Sequence, residues 1–495
     1  MKVIASYAHI QNQGMIVRSS LFLCFLLLGN WLVVPAQNNT SGSKTYRDAH
    51  AHLWTLNLQA IPQTGLSAVE QAHLKMMTIF LEVFVRDNES VYNEKLSEFN
   101  DALSQVKKSK GYIADYAAAE GYLLRAMLKA KFNQNIRAGM DLYSGYRKAK
   151  SNYATYPTAP PVIGMWGVME CGIGSLPDQI QTYLGLVGFS GDLELGMELV
   201  EKAYRMSKTS GWKHSENILA LALVSVKVQL QNDERADLQD FGIDARKSPV
   251  MAAIEAKILF DRNESAQAFK LLSETKTEGI PFPYLFYLQG RIGVTLELKE
   301  GAEALHTYLR TNEGTSYIKS THRYLWWHYF LKGDVAKAKK HREYIVSQGA
   351  SVTAPDQLAL HEAQDELNEH LLRARLLFDR GKISECLNHL TSKKAAEVCQ
   401  NDQEMGSYYY RMGRCLQQLN RNEAAINRYK QAVKHFGNTE SFERANSLLQ
   451  MGRILEEINQ CPQAKNAYQE VLKFKNYPFN EGQHQKAKAG IKRCK

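Results

Sequence analysis

Beyond about residue 65 the apolar residues recur every three or four positions, in stretches of roughly 11 to 20 residues parted by short polar turns. That period gathers apolar side chains on one face of a helix, and short turns leave consecutive helices antiparallel. Alternation of period two with Asn-Gly or Asp-Gly turns, the mark of hairpin strands, is absent. The pattern predicts an all-α chain of antiparallel helical hairpins.

The hairpins repeat. Between "YYYRMGRCLQQLNRNEAAINRYKQAV" and "LLQMGRILEEINQCPQAKNAYQEVL", Gly413 corresponds to Gly452, Ala425 to Ala464 and Tyr429 to Tyr468. In each, a small residue on the first helix precedes a small residue on the second by twelve positions, and an aromatic follows four later. "FYLQGRIGVTLELKEGAEALHTYL" keeps the register with Gly290, Ala302 and His306. A second unit is interleaved. "AKILFDRNESAQAFKLL", from Ala256, matches "ARLLFDRGKISECLNHL", from Ala374, at a shift of 118, and the Gly-Arg units behind them are shifted by 123. A two-hairpin block near 250–312 therefore recurs near 368–436. Close packing accounts for the spacing. The two helices are expected to cross where Gly413 meets Ala425, since only small side chains allow that approach, with Tyr429 filling the groove between successive hairpins.

This pattern resembles the tetratricopeptide repeat, without its early Trp and closing Pro and with Gly437 at the closing position of one unit. The resemblance implies a solenoid of antiparallel hairpins coiled into a right-handed superhelix. The expected organisation is a signal peptide over 1–36, an N-terminal helical region over 37–110, hairpins with a glycine-rich seam over 111–248, and tetratricopeptide-like repeats over 249–495.

The seam, "LVGFSGDLELGMELVEKA" from Leu186 to Ala203, invites a catalytic reading. A phosphate loop needs GxxxxGK[ST] after a strand, but Gly191 is followed by Asp192, whose charge repels phosphate. A nucleophile elbow needs G-x-S-x-G between strand and helix, and "GFSG" lacks the second spacer. A helix start fits instead. Ser190 is the expected N-cap, and Asp192 and Glu194 set negative charge against the helix dipole. With the preceding "GMWGVMECGIG", the run "SLPDQIQTYLGLVGFSGDLELGMELVEKA" also resembles the signature of the inclusion-body-clearance proteins and their tetratricopeptide repeat protein 39 relatives. "PFPYLFYLQGRIGVTLELKEGAEAL" is similar to their later Gly-Arg hairpin, and "AAAEGYLLRAMLKAKF" to their first one. The resemblance covers roughly residues 110–495 and implies a non-catalytic repeat scaffold.

Composition narrows the class. With 44% hydrophobic and 23% charged residues over 495 positions, the chain can bury a large core. Its net charge of +10 is mild, and the basic runs are short and interleaved with acids, which reads as solvated helix faces with no nucleic-acid partner. At the N-terminus, Arg18 precedes the apolar "LFLCFLLLGNWLVV" and the small Val34 and Ala36, the build of a secretory signal cleaved after Ala36. Cys24 inside the apolar core follows the bulky Leu23 and does not suit lipidation. No later segment offers about 18 uncharged apolar residues. The mature chain is expected to be exported, to the periplasm, the cell envelope or outside.

Few residues suggest chemistry. "DAHAHLW" places Asp48, His50 and His52 in a His-x-His pattern that binds metal on a strand, where alternate residues share a face, but no barrel pattern supports it. "HEAQDELNEH" is not a zinc helix, because position 365 is aspartate. "HRYLWWHYF" gathers Tyr324, Trp326, Trp327 and Tyr329, and the rings that a helix cannot bury are expected to face a groove and stack on a partner. No Cys or His spacing forms a zinc site. In an antiparallel hairpin the start of one helix lies beside the end of the next. Cys461 should therefore meet Cys494, and Cys386 should meet Cys415, as disulfides in an oxidising compartment. The sequence thus predicts an exported, non-catalytic scaffold, without cofactor or metal, that holds a protein or peptide on its concave face. The alternative is a glycan-binding helical protein of the cell envelope with Trp326 and Trp327 as platform.

Overall fold

The computed structural model describes residues 43–174, 191–208, 220, 224 and 238–494. The expected signal segment and Ser190 lie outside them. Among the described residues there is no strand, and the chain is a succession of helices. The first ones are α1 (Lys44–Trp54), α2 (Ala68–Arg86), α3 (Glu89–Lys108), α4 (Tyr112–Lys131), α5 (Asn135–Thr155), α6 (Pro160–Gly174) and α7 (Leu193–Ser207). Then follow α8 (Pro249–Asp261) with α9 (Ser265–Glu274), α10 (Tyr284–Thr295) with α11 (Lys299–Thr311), α12 (Ile318–Leu331) with α13 (Val335–Ser347), and the lone α14 (Ala354–Glu362). The last are α15 (Glu369–Asp379) with α16 (Ile383–Thr391), α17 (Asp402–Gln418) with α18 (Asn422–Phe436), α19 (Phe442–Glu457) with α20 (Cys461–Val471), and the closing α21 (Asn480–Arg493).

Local chemistry sets these boundaries. Ser67 and Glu70 form a reciprocal capping box at α2, and Ser248, Asn368, Asn401 and Ser441 cap α8, α15, α17 and α19 through their side chains. The tight turns inside the hairpins place Asn133, Asn263, Asn420 and Asn459 in the left-handed region, which asparagine enters more readily than other residues with a side chain.

One apolar core runs from Tyr46 to Ile258 and a second from Ala253 to Leu376, with smaller cores under the last hairpins. Within them the glycine of the first helix meets the aromatic of the second most closely. A Cβ on Gly413 would lie 2.6 Å from Tyr429 Cε1, and one on Gly452 would lie 2.6 Å from Tyr468 Cε1. The ring packs on the glycine of its own hairpin, and that of Tyr468 also meets Gly490 of α21, filling the groove toward the next helix as expected. Its hydroxyl donates back to the first helix, Tyr429 to Gln417 Oε1 at 2.6 Å and Tyr468 to Glu456 Oε2 at 2.8 Å. At Gly290 the register slips by one. Leu305 fills the space, and His306 turns to Tyr329.

The seam is a backbone crossing. A Cβ on Gly167 of α6 would stand 2.8 Å from the carbonyl oxygen of Gly196 on α7, and one on Gly196 would stand 2.6 Å from the Gly167 oxygen. Helix α7 begins at Leu193, and its cap is Asp192, whose carboxylate accepts from Glu194 N at 2.9 Å and Leu195 N at 3.1 Å. The cap assignment thus moves from Ser190 to Asp192, whose own N–H is fixed by the buried Glu170 at 2.6 Å.

Long-range bonds tie the ends to the middle. The Ile280 N–H donates to Leu56 O at 2.9 Å, the Ser248 hydroxyl to Trp54 O at 2.8 Å, and Lys492 of α21 reaches Glu194 of α7 at 2.5 Å.

Candidate functional site

Among the first helices of the hairpins, α8 packs beside α10, α10 beside both α12 and α15, α15 beside α17 and α17 beside α19, and together they form one wall of the solenoid. Their outward stripes pack on the second helices. Their remaining stripe carries arginines, five of them laid over an aromatic ring.

Arg291 of α10 lies 4.3 Å above the Phe260 ring and 5.9 Å from that of Tyr324. Arg323 of α12 stands 4.9 Å from both Tyr324 and Trp327, while Arg375 of α15 stands 4.6 Å from Trp327. Trp327 is thus shared by two guanidinium groups. Farther along, Arg414 covers Phe378 at 4.9 Å and Arg444 covers Phe474 at 4.3 Å. Stacking of this kind holds a guanidinium flat and leaves its edge donors free to turn outward.

Carboxylates answer some of these charges. Glu362 accepts from Arg375 at 2.9 Å and from Arg323 at 3.4 Å, and Arg411 donates to Glu443 at 2.8 Å. Burial would raise the Glu362 carboxyl, but Arg375 and Arg323 hold it below its ordinary value. At Asp379 burial wins and the carboxyl is raised, against the pull of Arg375, Arg411, Arg291 and Arg414. Four arginines from three helices therefore converge on one acid. The Tyr324 phenol is pulled down by Arg291, Arg323 and Arg375 in spite of burial. Asp261, beside Lys257 at 2.5 Å, is held down by Lys257, Arg291 and Lys486 against burial.

Arg291 differs from the others. Its Nε is buried without an acceptor, and among the described residues its guanidinium has neither an ion-pair nor a hydrogen-bond partner. Burial would lower this guanidinium, yet the Tyr324 and Tyr287 phenols and the Asp261 carboxylate hold it above its ordinary value, so its charge is favoured while its donors still lack a direct acceptor.

The aromatic cluster expected to offer an open platform does not do so. Tyr324, Trp326 and Trp327 are 4%, 3% and 1% exposed, because α12 packs against α10, α11, α13 and α14 and has no free side broad enough for them. Tyr324 and Trp327 serve as stacking surfaces for arginine, and Trp326 lies 5.5 Å from Arg342. Tyr329, half-buried, stacks on His341 at 5.3 Å and bonds His306 at 3.0 Å, away from the arginines. His322 completes that group, its Nδ1 3.0 Å from His341 Nδ1.

The cysteines expected to pair are brought together as thiols. Cys386 Sγ and Cys415 Sγ are 3.2 Å apart and buried, and Cys494 lies against Cys461, with all four free. "DAHAHLW" lies on α1, where residues two apart diverge. His50 is buried with Nδ1 2.7 Å from Tyr46 O, and His52 is half-exposed. Among the described residues no group of three His, Cys, Asp or Glu side chains is placed to hold a metal ion, and no helix is long and apolar enough to cross a membrane.

Sequence reasoning missed two features. The Gly-Arg pairs were visible as repeat landmarks, but their arginines read as solvated. The network of Tyr46, His73 and Glu120 left no local mark. The Tyr46 hydroxyl meets His73 Nδ1 at 2.6 Å, and His73 Nε2 meets Glu120 Oε2.

Residues 404–476 match the tetratricopeptide repeat family. No curated protein sequence matches the chain. Solved structures similar to it include a human IFIT1 dimer with PPP-AAAA, at 13% identity over 98% of both chains and a TM-score of 0.30. The same human protein with m7Gppp-AAAA is similar at 12% identity over 98% of both chains, with a TM-score of 0.32. The APC/C hetero-tetramer Cut9-Hcn1 is similar at 13% identity over 89% of this chain and 87% of that one, with a TM-score of 0.25. On the family match and the hairpin geometry, the chain is an all-helical solenoid with tetratricopeptide repeats over residues 404–476.

Proposed function

We propose that this protein is a non-catalytic repeat scaffold that holds an acidic protein segment along the wall formed by its first helices. The observation that carries the reading is Arg291, a guanidinium stacked on Phe260 that among the described residues makes no hydrogen bond or ion pair with an acid. Arg375, Arg411 and Arg414 extend the same wall, and each lies near enough to act on Asp379. A carboxylate from a bound segment would supply the bidentate partner that a guanidinium fork favours.

A nucleic acid fits this wall less well. Asp261, Glu362 and Asp379 alternate with the arginines and would repel a continuous phosphate backbone, while a peptide can turn its own donors toward them. A glycan reading loses its support with the burial of Trp326 and Trp327.

The test is fluorescence anisotropy with a fluorescein-labelled decaglutamate peptide, competed with an oligouridylate of equal charge. The peptide should bind, weaken with added salt, and lose at least about tenfold in affinity in Arg291→Gln and in Arg375→Gln. Tighter binding of the oligouridylate, or equal peptide affinity in both variants, would overturn the reading.

We further propose that the chain is exported, supported by the charge and apolar order of its first 36 residues. Sequencing of the native N-terminus should begin at Gln37, and a start before the apolar run would refute it.

A further inference from the structure

We propose that the wall reads two features of its partner at once: a leucine-sized side chain and, three residues along an extended segment, an acid. The proposal rests on the acidic-segment reading and adds what selects the segment. Its observation is a pocket between the N-terminal helices and the first repeats, lined by Phe80, Phe84, Val250, Ile254, Phe282 and Tyr284. Among the described residues its only charged liners, Lys131 and Asp87, are paired at 2.5 Å, so the pocket itself calls for an apolar guest.

The pocket and the arginine belong to one surface. On α8 the stripe Val250, Ile254, Lys257 and Asp261 runs from the pocket to the charges at helical spacing. On α10 Tyr284 lines the pocket and Arg291 stands two turns farther on. Tyr284 joins the two regions: burial raises its phenol, and Arg291 and Lys257 act on it to lower it. Seven helical residues span about 10 Å at about 1.5 Å each, which an extended chain covers in about three residues.

Size selects the guest. Cavities of about 150 Å³ admit a benzene ring. The space here is about 100 Å³, which suits one branched aliphatic side chain and is too small for a fatty acyl chain. The guest is therefore a side chain of a protein segment, with Arg291 meeting the acid beside it.

The test uses fluorescein-labelled peptides in a glycine–serine background, each with two adjacent glutamates and one leucine placed from one to five positions before them. Affinity should peak at a spacing of three and fall about tenfold when serine replaces the leucine, the loss expected for one buried aliphatic group. Val250→Trp, at the half-buried rim, and Ala253→Leu, in the pocket wall, should each abolish that leucine preference while leaving the decaglutamate peptide bound as before. Arg291→Gln should weaken both probes. A leucine preference that ignores spacing, or survives both pocket variants, would overturn the inference while leaving the acidic-segment reading intact. Displacement of the leucine peptide by laurate at equal concentration would overturn it in favour of an acyl ligand. Failure of the decaglutamate peptide to bind wild type would remove the reading beneath both.

Discussion

Gly413→Ala tests the glycine–tyrosine contact on which the repeat spacing rests. The new methyl carbon would stand 2.6 Å from Cε1 and 2.7 Å from Cδ1 of Tyr429, where carbon contacts settle at about 3.5 to 4.0 Å. Tyr429 has nowhere to move. It is fully buried, and its hydroxyl is held by Gln417 at 2.6 Å. Two effects oppose each other. Removing a glycine from a helix interior gains about 1 kcal/mol, while overpacking costs about 1–3 kcal/mol and disturbing the tyrosine hydrogen bond about 1 more. The net loss is about 1–3 kcal/mol. Gly139 on α5 is the control, since an added Cβ there meets nothing within 4 Å. Gly139→Ala should show the helix gain alone, about 1 kcal/mol. A solenoid opens in parts, so the assay is hydrogen exchange followed by mass spectrometry on peptides from α17, α18 and α5. The slowest amides of α17 and α18 should exchange about tenfold faster in Gly413→Ala, which corresponds to about 1.4 kcal/mol. Those of α5 should slow in Gly139→Ala. In a Tyr429→Leu background the same Gly413→Ala change should become protective, because the ring no longer meets the methyl. Exchange in Gly413→Ala as slow as wild type or slower would refute the contact.

His73→Ala removes a fully buried ring that joins Tyr46 to Glu120, taking one hydrogen-bond partner from each and opening a cavity, and should cost about 3–4 kcal/mol in urea unfolding; a loss under about 1 kcal/mol would count against the network. Acid should destabilise the fold. Burial lowers His50, His73 and His341 to about 3 and His322 to about 4. The unfolded chain takes up these protons near pH 6.5 and the folded chain does not, so stability is full above that pH and falls as pH drops toward 4, by up to about 2 kcal/mol per histidine at pH 5. Asp356, raised by burial to about 6, binds its proton in the folded state and offsets part of this loss. A thermal midpoint that is flat or rises from pH 7 to pH 5 would contradict the histidine assignment. Treatment with glutathione disulfide should join Cys386 to Cys415 and Cys461 to Cys494, read by peptide mapping without reductant. Mapping that finds Cys399 or Cys171 in their place would contradict the placement of the thiols.

What the sequence determined by itself is the local order. Helical period, capping serines and asparagines, and turn residues such as Asn420 and Asn459 act within a few positions of themselves, so hairpins and repeat register could be read directly. The same holds for the adjacency of Cys386 with Cys415 and of Cys461 with Cys494, which follows from hairpin geometry. What only the tertiary structure decided is which neighbour each face meets. Gly413 was legible as a close contact, but that the Tyr429 ring supplies its nearest atoms was not, because the absent Cβ is filled by whichever side chain the crossing angle presents. Tyr324 and Trp327 were legible as unusual, and the stacking of the first helices turned them into supports for Arg291, Arg323 and Arg375. Those arginines read as solvated because charge on one face of a single helix has that meaning. Hairpins set side by side turn such faces toward one another, and charges distant in sequence then gather where water is scarce. His73 and Glu120, 47 residues apart, meet for the same reason. A buried polar pair is specified by the packing of two helices, and neither helix carries a mark of it alone.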